Sequence, residues 1–205
     1  MEQASPQEPA GPQEPAGPQE PTGPRRVGLL LAVPAAVFIA DVISKIIVVA
    51  VLKPDQPVWL ISGLLDLNLT RNSGAAFSFG TGQTVVFTAI AIGVIIFILR
   101  TSRRLYSLPW AVTLGLLLGG AAGNLTDRLL RAPGVFRGDV VDWIQLPHWP
   151  VFNVADSCIV CGGFLAVVLA ARGIRLDGTR DVRAGRGEDT GTKSAGGPSA
   201  EDSHT

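Results

Sequence analysis

Residues 138–157 read GDVVDWIQLPHWPVFNVADS, and the rest of the chain is best read outward from this stretch. Asp142 sits in a short apolar, strand-like run, VVDWI. Asp156 opens a longer apolar run, Cys158 to Ala171, and a Pro- and Trp-rich turn separates the two acids. A carboxylate at the mouth of a hydrophobic segment is costly to hold there, which makes it a functional suspect. Two carboxylates that meet cannot both ionise easily and share a proton. The ionised member can then deprotonate a water while the protonated one polarises a scissile carbonyl. The local sequence leaves open whether the two side chains meet, because Asp156 also reads as an N-cap or first-turn acid.

The 205 residues are 47% hydrophobic and 17% charged, with a formal net charge of zero. That balance gives no reason to expect a nucleic-acid partner. Polar ends flank an intensely apolar middle, the pattern of a membrane domain with solvated tails. Residues 1–24 repeat PQEPAG at Pro6–Gly11 and Pro12–Gly17, then PQEPTG at Pro18–Gly23. With nothing apolar to bury, residues 1–26 are expected to form a disordered or polyproline-II-like tail. The polar, Gly-rich residues 172–205 are expected to form a second disordered tail, leaving 27–171 as the membrane domain.

Four membrane helices are expected: Val27 to Leu52, Thr84 to Leu99, Leu108 to Leu125 and Val151 to Ala171. The first, at 26 residues, is long enough to cross a hydrocarbon core of roughly 30 Å. Gly115, Gly119, Gly120 and Gly123 in the third fit close helix packing in lipid. Four spans put both termini on one side. An orientation with both ends inside places eleven Lys and Arg on that face: Arg25, Arg26, Arg100, Arg103, Arg104 and six beyond Ala171. Lys53, Arg71, Arg128, Arg131 and Arg137 make five on the other. The positive-inside bias therefore predicts cytoplasmic termini and two extracytoplasmic loops. Within loop 53–83, Leu65-Asp66-Leu67-Asn68-Leu69-Thr70 alternates with period two and predicts a surface strand. The expected fold is an all-α integral membrane protein with a small extracytoplasmic β element.

Other polar residues fall into place on that topology. Asp41 and Lys45 lie four apart on one face of the first helix, where an ion pair lowers the cost of burial. Asn72 sits beside Gly74 in RNSGAAFS, a turn-forming context. Asn124, Asp127 and Arg128 mark the outer end of the third helix, where an Asp-Arg pair also fits a solvated helix end.

Five blocks together resemble the lipoprotein signal peptidase (signal peptidase II, prolipoprotein signal peptidase) family. They are Asp41-x-x-x-Lys45, Asn72-x-Gly74-Ala75-Ala76-Phe77-Ser78, Gly119-Gly120-Ala121-x-Gly123-Asn124-x-x-Asp127-Arg128, Val140-Val141-Asp142-Trp143 and Phe152-Asn153-x-Ala155-Asp156. They occur in the family's order and cover about Val27 to Ala171. The resemblance implies an aspartic endopeptidase of the bacterial inner membrane that removes the signal peptide from diacylglyceryl-modified prolipoproteins, cleaving before the lipid-bearing cysteine. It implies Asp142 and Asp156 as catalytic residues. It also implies that Asn72, Asn124, Arg128 and Asn153 line the substrate site, that Gly74 and Ala155 support it, and that Asp41, Lys45 and Asp127 maintain its integrity or activity. Globomycin, a cyclic peptide antibiotic, inhibits the family by occupying the dyad. No metal or organic cofactor is called for.

The chain departs from the family pattern between Asp127-Arg128 and VVDW, where Leu129 to Asp139 makes a longer link. That link brings in a competing acid, Asp139, three residues before Asp142, and Asp127 is a further candidate. Asp142 is preferred because Val140, Val141 and Trp143 flank it as the family block requires. His148, between Pro147 and Trp149, reads as an interfacial loop residue. Cys158 and Cys161 read as small residues within a span. Two other functional classes compete: a small ion or proton transporter, and a scaffold that recruits a partner through its Pro-rich tail.

Overall fold

The computed structural model describes residues 25–54, 56–61, 63–74 and 83–180. The Pro-rich repeat, Ala75 to Ser78 and the chain beyond Arg180 lie outside the described residues. Four helices dominate: α1 (Val27–Val51), α2 (Gln83–Thr101), α3 (Leu108–Leu130) and α4 (Val154–Ala171). Each is long and apolar enough to cross a membrane. α1 has its polarity inside out relative to a water-soluble helix. Asp41 and Lys45 are 0% and 1% exposed, whereas Leu31, Ile39, Ile46 and Val51 face outward. A helix surrounded by lipid gains nothing by hiding its aliphatic residues, and must satisfy its charges internally.

α3 is the central helix, and the other three pack against it. Its glycines make the approach possible. Gly115 and Gly119 face Val33, Pro34 and Val37 of α1, and Gly120 faces α4. A Cβ on Gly120 would lie 2.5 Å from the Ala155 carbonyl oxygen, and one on Gly123 would lie 2.5 Å from Asp41 Oδ2. Without a hydrophobic drive between helices in lipid, such close backbone contact holds them together.

α3 runs five residues past the expected end at Leu125. Asn124, Asp127 and Arg128 looked like a helix end, but Lys45, Arg131 and the Val141 N–H engage the first two, Arg128 lies by the Phe87 ring, and the backbone ladder continues. α4 begins at Val154 rather than Val151 because Asn153 caps it. The Asn153 side chain accepts from the Asp156 N–H at 2.8 Å, and the Asp156 carboxylate accepts from the Asn153 N–H at 3.2 Å. These reciprocal bonds form a capping box.

A three-stranded antiparallel sheet adjoins one end of the bundle, in the order β1 (Val58–Ile61), β2 (Leu65–Asn72), β3 (Val140–Gln145). The predicted strand Leu65 to Thr70 lies within β2. β1 is an addition to the expected strand: its VWLI lacks alternation and its four side chains are all exposed. β2 pairs with β3 so that Thr70 opposes Asp142 and Asn72 opposes Val140. Asn72 is thus a diagonal neighbour of Asp142, within side-chain reach on one face of the sheet. Beyond β3 the chain turns back, and the Phe152 carbonyl accepts from the N–H groups of Trp143 and Ile144 at 3.0 and 2.8 Å.

Segment 172–180 opens the stretch expected to form the C-terminal tail. This segment hooks back on the bundle, and the Leu176 carbonyl accepts from the N–H groups of Tyr106 and Ser107 at 2.9 and 3.0 Å. The indole of Trp110 donates to the Ile174 carbonyl at 2.7 Å. The composition of the hook is polar, but its order comes from backbone carbonyls that composition does not reveal.

Candidate active site

The two acids singled out in the sequence come together through asparagines. Asp142, on β3, is 1% exposed. Its Oδ2 accepts from Asn72 Nδ2 at 2.9 Å and its Oδ1 from Asn153 Nδ2 at 2.7 Å. Asp156, in the first turn of α4, accepts from Asn124 Nδ2 at 2.7 Å through Oδ1. Asn153 Nδ2 also donates to Asn124 Oδ1 at 3.1 Å. Asn153 and Asn124 therefore link the carboxylates, with Asn72 fastening Asp142 from the sheet side. Sheet register, the turn 146–153 and the α4 cap each contribute one anchor.

Behind this layer lies a buried charge cluster. The Lys45 ammonium contacts Asp41 Oδ2 at 2.7 Å and Asp127 Oδ2 at 3.0 Å, and donates to Asn124 Oδ1 at 3.1 Å. Asp127 also pairs with Arg131 and accepts from the Val141 N–H at 3.2 Å. Asp41 Oδ1 accepts from the Ala155 N–H at 3.0 Å. The cluster thus ties α1, α3, β3 and α4 at the point where both acids are held. Desolvating charges is repaid only when hydrogen bonds satisfy them, and here they are densely satisfied. Removing one member would strand the others.

Burial pushes the Asp142 carboxyl up to about 6 from its ordinary value of 3.8. Hydrogen bonds from Asn72 and Asn153 and the charge of Lys45 oppose that rise, while the negative charge of Asp156 adds to it. A carboxyl so placed keeps a proton that a solvated aspartate would lose.

A cavity of about 340 Å³ opens onto Asp156, lined on one side by Asn72, Asn124, Arg128 and Asp156 and elsewhere mainly by apolar residues of α2, α3 and α4; Asp142 lies behind Asn72, outside the lining. The Arg128 guanidinium lies 5.5 Å from the centre of the Phe87 ring, and its charge faces Asp142, Asp156, Asp127 and Asp139. Its Nη1 is buried without a hydrogen-bond partner among the described residues. Gly74, at φ +91°, donates its N–H to Asn72 Oδ1 at 2.8 Å and so orients that amide. The left-handed φ suits glycine there.

Every site residue expected from the sequence falls in this region. Asp142, Asp156, Asn72, Asn124, Asn153 and Arg128 form the front, Gly74 and Ala155 brace it, and Asp41, Lys45 and Asp127 form the back. Asp139 is half-buried and its carboxylate takes no part in these hydrogen bonds. Asp127 is fully engaged by cations and the Val141 amide. His148 is exposed in the turn at φ +59°. Cys158 and Cys161 are unpaired thiols on α4. Among the described residues, no group of three His, Cys, Asp or Glu side chains is gathered to hold a metal ion. Two residues were missed. Arg131 follows Asp127 at i, i+4, a spacing that suggests the pair. Phe87 is one apolar residue in an apolar span, and nothing in its local sequence marks it.

The peptidase A8 family model, signal peptidase (SPase) II, matches residues 33–172. A lipoprotein signal peptidase of Streptomyces coelicolor is 55% identical over 155 residues, 76% of this chain and 76% of that protein. One from Mycobacterium avium is 52% identical over 153 residues, covering 75% of this chain and 84% of its own length. Among solved structures, a bacterial membrane enzyme determined by the in meso method at 1.9 Å is similar with a TM-score of 0.64 and 29% identity, covering 71% of this chain and 94% of that one. Matched by that family model over residues 33–172 and by relatives at 52% and 55% identity, the chain belongs to the signal peptidase II family.

Proposed function

We propose that Asp142 and Asp156 are the catalytic dyad of a membrane aspartic endopeptidase that removes the signal peptide from diacylglyceryl-modified prolipoproteins, cutting before the lipid-bearing cysteine. The observation that carries this reading is the pair of acids joined through Asn153 and Asn124, with Asp156 lining an apolar cavity. Asp142, the acid with the raised affinity for a proton, is assigned the protonated role and hydrogen-bonds the scissile carbonyl oxygen. Asp156 takes a proton from the attacking water. The tetrahedral intermediate collapses when the cysteine amine leaves with a proton from the dyad, which returns to its starting charge. Asn72, Asn124 and Asn153 hold the carboxylates in register, and Arg128 supplies a hydrogen-bond donor to the substrate backbone.

The substrate class suits the cavity. An apolar signal helix followed by a lipid-bearing residue lies at a membrane surface, and a site at the end of four spans meets that junction without drawing acyl chains into water. The bias of Lys and Arg supports cytoplasmic termini and a dyad at the extracytoplasmic face, and four apolar helical spans suit residence in the cytoplasmic (inner) membrane. We assign the activity to residues 27–171, and globomycin-type cyclic peptides would compete for the same cavity. The test is purified full-length protein in detergent with a lipidated and an unlipidated form of one precursor. Release of a product beginning at the lipidated cysteine, from the lipidated form alone, is the expected result. A folded protein that cuts neither, over several precursors, would contradict the reading.

A further inference from the structure

At the end of the bundle opposite the acids, a second cleft of about 630 Å³ lies between the α2–α3 connection and the hook after α4. Arg100, Arg103, Arg104 and Arg175 line it, together with Trp110 and one acid, Asp177. The hook builds its wall: Trp110 donates to the Ile174 carbonyl, and Tyr106 and Ser107 donate to Leu176. Asp177 is turned towards Thr179, accepting from its N–H at 3.0 Å and its hydroxyl at 2.6 Å. Among the described residues, Arg100, Arg103 and Arg104 form no ion pair.

We propose that this cleft binds the phosphate headgroup of an anionic phospholipid in the leaflet that faces the termini. Three observations favour lipid. The arginines cluster where the apolar spans α2 and α4 end and α3 begins, the depth at which headgroup phosphates lie. Trp110 presents an apolar ring and a polar edge, the chemistry of a membrane–water boundary. The cleft also includes Ala170, Ile174 and Leu176, apolar surface on which the start of an acyl chain can lie. The C-terminal ends of α2 and α4 oppose an anion by about half an elementary charge each. The guanidinium groups of Arg100, Arg103 and Arg104 outweigh that. The site is remote from the acids and does not depend on their catalytic role; only the identity of the leaflet rests on the proposed orientation.

The test is lipid retention by the full-length protein in native mass spectrometry, with phosphatidylglycerol against phosphatidylcholine of the same acyl chains. Wild type should retain phosphatidylglycerol preferentially, and Arg103→Gln/Arg104→Gln should lose about tenfold in that preference. Arg25→Gln/Arg26→Gln, at the same end but outside the cleft, should keep it. Both variants should cleave a lipidated precursor in detergent as wild type does. Equal retention of the two lipids by wild type overturns the proposal even where a variant fails to fold. Equal losses in the two double variants reduce it to bulk charge and overturn it. Displacement by inorganic phosphate alone would assign the arginines to a soluble anion. A rise in retention on Asp181→Asn/Glu188→Gln/Asp189→Asn would make the chain's own tail the occupant.

Discussion

Asp142 contributes a pH dependence to the stability of the fold. Its folded value of about 6 lies above the ordinary 3.8. Between those two values the folded protein holds a proton that the unfolded chain has released. The contribution of this group to stability is therefore fully present below about pH 4 and is lost as pH rises through 6, by up to about 3 kcal/mol. Thermal unfolding in detergent from pH 4 to 8 should show that decline in wild type, flattened in Asp142→Asn. If the protonated form of Asp142 is the working one, kcat/KM should also fall as pH rises past about 6, which a rate profile on a lipidated precursor would check. Asn153 separates two roles in one side chain. Asn153→Ser keeps an oxygen to cap α4 but withdraws the amide donor from Asp142 and Asn124. Cleavage should fall on the order of tenfold to a hundredfold, with helix content unchanged by circular dichroism.

Helix packing carries the next prediction. Gly123→Ala puts a methyl group against the Asp41 carboxylate, whereas Gly93 on α2 has nothing within 4 Å of the equivalent position. Gly123→Ala should cost about 1–3 kcal/mol and lower cleavage, while Gly93→Ala should leave the unfolding midpoint unchanged or raise it. At this scale the sequence was a good guide wherever one physical rule acted alone. Spans α1 and α2 were legible because lipid demands an unbroken apolar run, and β2 because Leu65, Leu67 and Leu69 alternate. α3 was read too short, since Asn124 and Asp127 are engaged by Lys45 and other elements far away in sequence. β1 was missed because a strand exposed on both faces has no period. The acids, asparagines and lysine of the site were legible as intramembrane polar residues and through the family blocks. Their hydrogen-bond partners were not, because those depend on the register of β2 with β3 and on the turn that brings Phe152 back to Ile144.

The whole molecule divides its charges between two ends. Arginines gather at the termini and the α2–α3 connection, while the catalytic candidates and the sheet occupy the other end. With Cys158 and Cys161 replaced by Ser, a single cysteine at His148 should react with a membrane-impermeant maleimide in intact cells, and one at Ser102 should not. The opposite pattern would invert the proposed orientation. Deleting residues 2–24 should leave cleavage intact, since the matched family region begins at Val33. The most direct test of the central claim compares wild type with Asp142→Asn, Asp156→Asn and Asp139→Asn on one diacylglyceryl-modified prolipoprotein, each confirmed folded. The first two should lose cleavage and the third should retain it. An active Asp142→Asn beside an inactive Asp139→Asn would contradict the assignment of the dyad.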